Sequence, residues 1–181
     1  MKWDYRAIGS DIRHTLEALS YIGVLVGLLF VYGEYRDAKV ESREKNALEF
    51  IKEFQSEGLA EARLVLLRDW RRFPMGSING LAGSADVVDQ LAVSFTLERG
   101  SDEGTDSLTR LIEFLDVVGT CVSNGICDKT IIERHLGDFA SDLLCLYREP
   151  IKQLQTVHGM VELGEKMSEL VPVNNRCGTG S

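Results

Sequence analysis

The chain has 181 residues, 44 per cent apolar and 27 per cent charged, with a net charge of −8. That is enough for one globular domain with an appendage, and too apolar for a disordered chain. Residues 1–33 hold three basic and three acidic side chains, so the negative excess falls on the remainder; an acidic body is repelled by phosphate backbones, and no nucleic-acid partner is expected.

The first segment, residues 1–34, contains the run ALSYIGVLVGLLFVYG, sixteen residues without charge between Glu17 and Glu34. As a helix it measures about 24 Å, short of the roughly 30 Å hydrocarbon core of a bilayer. Leu16 and Leu19 lengthen it by a turn if Glu17 lies at headgroup depth, where a charge is cheaper than at midplane. Tyr21 and Tyr32 sit near its ends, with Trp3, Tyr5 and Tyr35 outside, as interfacial aromatics do. The run reads as a single membrane span. A cleaved signal peptide ending near Val31 and Gly33, opposed by Asp4 and Asp11, and a buried core helix are the alternatives.

Within the run, Ser20, Gly23 and Gly27 line one helix face. An interior glycine costs a helix in water about 1 kcal/mol against alanine. In lipid a small-residue face lets two backbones approach closely, which offsets that cost, so self-association through the span is expected. Arg36, Lys39, Arg43 and Lys45 follow the run, against Lys2, Arg6 and Arg13 before it. That slight bias, with no N-x-S/T acceptor, puts the C-terminal part in the cytoplasm below the inner (plasma) membrane. The four cysteines, Cys121, Cys127, Cys145 and Cys177, include no C-x-x-C pair. Reduced thiols are expected, and no zinc site.

Residues 35–56 continue as a helical stalk, with Ala47, Phe50, Ile51 and Phe54 at helical period and Glu41 one turn before Lys45. One helix is predicted from about Ser10 to about Ser56. Residues 57–170 read as a compact helical domain. Ser56 caps a helix carrying Leu59, Ala62, Leu66 and Trp70, stopped by Pro74. Ser84 caps the next, with Val88, Leu91 and Phe95. Thr105 or Asp106 starts a third with the stripe Leu108, Leu111, Leu115, Val118 and Val122, closed by Asn124-Gly125. Asp128 caps a helix toward His135, bent near Gly137. A longer helix carries Ala140, Leu143, Tyr147, Ile151 and Leu154; Pro150 bends it, or Arg148 and Glu149 separate two helices. A short helix near 160–170 precedes a frayed tail, 171–181. No alternating run is long enough for a sheet, so the expected fold is all-α.

The chemistry-bearing candidates are few. GSINGLAG at 76–83 has neither the glycine-lysine of a phosphate loop nor a strand before it, and GSDEGTD at 100–106 lacks the ligand alternation of a calcium loop. Arg13-His14 and Arg134-His135 are adjacent, whereas one class of small helical RNases spaces Arg and His four to six residues apart. Glu113 and Asp116 share a face that reads as solvated. Cys121 falls by the apolar stripe as inert filling. His135 and Asp138 suggest a pH-sensitive contact, and with Arg134 they are the best members of any enzymatic site. The one basic cluster, RDWRRF, sets Arg68, Arg71 and Arg72 around Trp70, which suits an acidic protein partner, a lipid headgroup or an internal contact. No catalytic residue, cofactor or metal is implied.

The stretches ALEFIKEFQSEGLAEARLVLL at 47–67 and LIEFLDVVGTCVSNGICDKTIIERHLGDFASDLLCLYREPI at 111–151 carry Phe114, Leu115, the asparagine-glycine turn before Ile126, the step Leu136-Gly137-Asp138, Tyr147 and Pro150. In these the chain resembles a bacterial family of small membrane-anchored helical proteins, domain of unknown function 4760. The resemblance implies the fold and no catalysis. The layout of one span and a helical cytosolic domain also looks like small membrane effectors of bacterial antiviral systems, one of which accompanies RNA-guided RNases and assembles into a ring-shaped pore. The expected function is therefore a membrane-anchored assembly or effector protein without a catalytic centre, homo-oligomeric and acting in bacterial defence or stress response. A regulatory module recruiting a partner at the membrane, or an enzyme with a scattered site, are the alternatives.

Overall fold

The computed structural model describes residues 5–71, 85–98 and 102–171, with side chains of the first helix described from Gly23 onward. Among the described residues there is no strand, and the fold is all-α. The first helix, α1, runs from Tyr5 to Phe54, fifty residues without a break at its glycines. The chain divides after Glu41 into two units.

In the first unit, the described side chains from Gly23 to Tyr35 are exposed on nearly every face of α1, Phe30 at 71% and Leu29 at 70%. Gly23, Gly27 and Gly33 have nothing within 4 Å of where a Cβ would sit. Among the described residues no helix is long and apolar enough to cross a membrane. The charge-free run begins at Ala18, ahead of the described side chains, and Ser20's side chain also lies outside them.

The second unit begins at Ser42, so the last turns of α1 belong with the helical body. Ala47 is fully buried there, and Phe50 and Phe54 meet the Phe114 ring at 6.1 and 5.9 Å. A tight turn at Gln55 and Ser56 leads into α2, Glu57–Arg71, and the Ala60 N–H donates to the Ser56 carbonyl. Helix α3, Ala85–Val93, widens into a π-helical turn at Ser94–Glu98. There the Thr96 hydroxyl donates to the Ala92 carbonyl and the Thr105 hydroxyl to the Thr96 carbonyl, each at 2.6 Å.

Helix α4, Asp102–Ser123, is the centre of the body. It starts earlier than the predicted Thr105 or Asp106. Leu108, Leu111, Ile112, Leu115 and Val118 are fully buried along its stripe, and burying each such side chain is worth about 1.5–3 kcal/mol. It closes at Asn124-Gly125 as expected, Gly125 taking φ 64°. Asp128 caps α5, Lys129–Ile132, its carboxylate accepting the Ile131 N–H at 2.9 Å. The bend predicted near Gly137 is a π-helical turn, Glu133–Gly137, running into α6, Asp138–Leu146. The helices then separate at Tyr147, which leaves helical geometry at φ −112° and ψ 22°. Pro150 therefore lies in the first turn of α7, Arg148–Val157, where its missing N–H costs nothing.

The helix expected near 160–170 is instead a series of turns ending in one 3₁₀ turn, Met167–Leu170. Gly159 and Gly164 take φ of 71° and 83°, which a continuous right-handed helix excludes. Helix α2 packs along α4, the 3₁₀ turn covers another face of α4, and α3 lies against α7, where Arg148 bonds Asp89 at 2.5 Å.

Candidate functional site

The sequence RDWRRF ends α2, and the structure separates its members. Trp70 is half-buried and its indole N–H donates to the Tyr147 hydroxyl at 2.7 Å, with the two rings edge to face at 6.3 Å. Arg68 and Arg71 are exposed in the last turn of α2, where a cation is favourable against the helix dipole. Arg72 lies outside the described residues. The tryptophan is thus an internal contact, while the two described arginines face solvent.

An apolar groove of about 410 Å³ among α2, α4 and α6 is lined by Leu66, Leu67, Trp70, Leu111, Phe139, Leu143 and Leu146. Arg63 and Asp142 stand on its edge. Arg63 is already engaged: its Nε donates to the Leu59 carbonyl at 3.3 Å and its guanidinium lies 4.1 Å over the Phe54 ring. A groove of this size, apolar with a few polar groups at its rim, suits an apolar side-chain cluster or a small apolar ligand.

A wider and more open depression of about 1000 Å³ lies between α4 and the turns at 159–166. Asp116 lines it, but both of its carboxylate oxygens are committed: one accepts the Gly164 N–H at 2.6 Å, the other the Met167 N–H at 2.7 Å. Asp116 is therefore a clasp for the last turns, not half of an acid–base pair, and Glu113 stays exposed beside it. Gly119 is required in the same place, since a Cβ there would run into the Lys166 carbonyl. Lys166 itself is held above its ordinary value of 10.5 by its hydrogen bond to Glu169 and by the charges of Glu169 and Glu165.

The expectation of reduced thiols is corrected. Cys121 and Cys127 are joined in a disulfide with Cα atoms 5.3 Å apart, and Cys145 is disulfide-bonded as well. The reversal at Asn124-Gly125 folds Cys127 back onto the last turn of α4, which a spacing of six does not announce. The turn inside this bridge also receives α1. Arg43 Nε donates to the Gly125 carbonyl at 2.6 Å, Asn46 Nδ2 to the Ile126 carbonyl at 3.1 Å, and the Asp128 N–H to the Arg43 carbonyl at 3.1 Å.

Arg134 and His135 are exposed on the π-helical turn and Asp138 is exposed at the start of α6; none lines either depression above. Among the described residues no three His, Cys, Asp or Glu side chains are grouped to hold a metal. No protein-family model matches the chain, and neither a curated protein nor a solved structure does.

Proposed function

We propose that the chain is a single-pass membrane protein that assembles with itself through α1 and uses its helical body for protein contact, without a catalytic centre of its own. One observation carries this reading: from Val24 to Tyr35 the large apolar side chains of α1 stand exposed all around the helix. A helix apolar on every face belongs in a protein core or in lipid, not in water. With the uncharged residues from Ala18 onward the run approaches the length of a span.

Self-association through Ser20, Gly23 and Gly27 is part of the proposal. It is supported by the open space around both glycines, which leaves room for a second backbone at close range. The resemblance to membrane-anchored helical proteins supports the same layout, and an effector role in bacterial defence or stress response is its extension. Recovery of the full chain in the membrane pellet, resistant to alkaline carbonate, is the expected result. Recovery in the supernatant would overturn the reading.

A second reading is favoured by the exposed Arg68 and Arg71, next in sequence to the groove-lining Leu67 and Trp70: the body recruits an acidic protein whose apolar residues enter that groove. Arg68→Glu with Arg71→Glu should then abolish crosslinks to other proteins in native membranes while sparing crosslinks between copies. Loss of neither would remove the recruiting role.

A further inference from the structure

We infer that the helical body works in an oxidising compartment, on the outer side of the membrane, with the residues ahead of the apolar run in the cytoplasm. Cys121 and Cys127 are bridged, Cys145 is also bonded, and none of the described cysteines is free. Disulfides form and persist outside the cytosol, where thiols are kept reduced.

The bridge is built into the fold. Cys121 and Cys127 are 8% and 3% exposed and belong to the core cluster around α4. The turn they enclose presents the Gly125 and Ile126 carbonyls to Arg43 and Asn46 of α1. The bond that fixes this turn therefore also holds the last turns of α1, from Ser42 onward, within the body. Its formation takes two protons and two electrons from the two thiols, delivered to a disulfide-bearing oxidant of that compartment.

Flanking charge runs against this orientation by a single residue, too small a bias to set it. Lys2, Arg6 and Arg13 precede the apolar run, and Arg36, Lys39, Arg43 and Lys45 follow it, a difference of one. The compartment half of the inference stands on the disulfides alone, whereas the orientation half rests on the membrane anchor proposed above.

The test uses the full chain carrying a C-terminal reporter, alkaline phosphatase in one version and green fluorescent protein in another, read in whole cells and in membrane and soluble fractions. Active phosphatase and a dark fluorescent fusion are expected. A maleimide-polyethylene-glycol reagent should shift the untagged chain only after a reductant is added. A bright fluorescent fusion, with thiols that react without reductant, would overturn the inference. Oxidised cysteines and active phosphatase in a soluble fraction would uphold the compartment and sink the anchor; reactive thiols in the membrane pellet would do the reverse.

Discussion

Replacing Asp116 by alanine tests the packing account most sharply within the body. The carboxylate accepts two backbone N–H groups, from Gly164 at 2.6 Å and Met167 at 2.7 Å. Those bonds hold the turns that carry Leu163, Met167 and Leu170 into the core, where Met167 and Leu170 are fully buried. A hydrogen bond to a charged acceptor contributes about 1.5–3 kcal/mol. Asp116 is only half-buried, which places each bond at the low end of that range and the pair at about 3 kcal/mol. At 2–4 °C per kcal/mol for a chain of this size, the loss is roughly 6–12 °C in Tm. Thermal melts of the full chain in detergent, followed by circular dichroism at 222 nm, read it directly. Asp116→Asn keeps one acceptor oxygen but turns an NH₂ toward the other N–H, so it should lose at least half as much. A change below about 2 °C for Asp116→Ala would refute the clasp.

Substituting serine for both Cys121 and Cys127 opens a ring whose ends are six residues apart, costing about 2 kcal/mol of chain-entropy stabilisation; urea unfolding without reductant should show the variant less stable than the wild type by that amount, and reductant should narrow the gap. Trp70→Phe keeps an aromatic ring in the groove wall and removes the donor to Tyr147, for a loss of about 1 kcal/mol in the same assay. At Gly23 and Gly27 an added Cβ has nothing within 4 Å, and isoleucine improves helix propensity by about 0.5 kcal/mol per site, so with Gly23→Ile and Gly27→Ile the helix should be no weaker while crosslinking between copies in native membranes disappears. An unchanged crosslinking ladder would separate the glycines from assembly.

The parts of this fold written in local chemistry were legible from the sequence. The α4 stripe of Leu108, Leu111, Leu115 and Val118, the Asn124-Gly125 stop and the Asp128 cap each depend on residues within a turn or two of one another. What escaped depends on distant partners. Asp116 finds its two donors 48 and 51 residues later, Trp70 finds Tyr147 across 77, and Arg43 meets Gly125 across 82. No periodicity encodes such pairs. Two misses had signals available. Gly159 and Gly164 mark the turns that replace the last expected helix, and the reversal at Asn124-Gly125 sits between the two cysteines it brings together. The cluster of Arg68, Trp70 and Arg71 was visible as a cluster, but its division into a half-buried ring and exposed cations follows from the course of α6 and Tyr147 past the end of α2.

The central claim is that α1 anchors the chain in lipid, and it is tested by comparing the wild type with Leu25→Arg plus Leu28→Arg in alkaline carbonate extraction. Both leucines are 61% exposed and stand outside the body, so neither substitution disturbs the core. Each arginine near the middle of a span costs about 2.5–3.5 kcal/mol on the insertion scale. The wild type should remain in the membrane pellet, and the double variant should move to the supernatant with the melting temperature of its body unchanged. Equal extraction of the two proteins would contradict the anchor and leave the exposed apolar helix to be covered by protein instead.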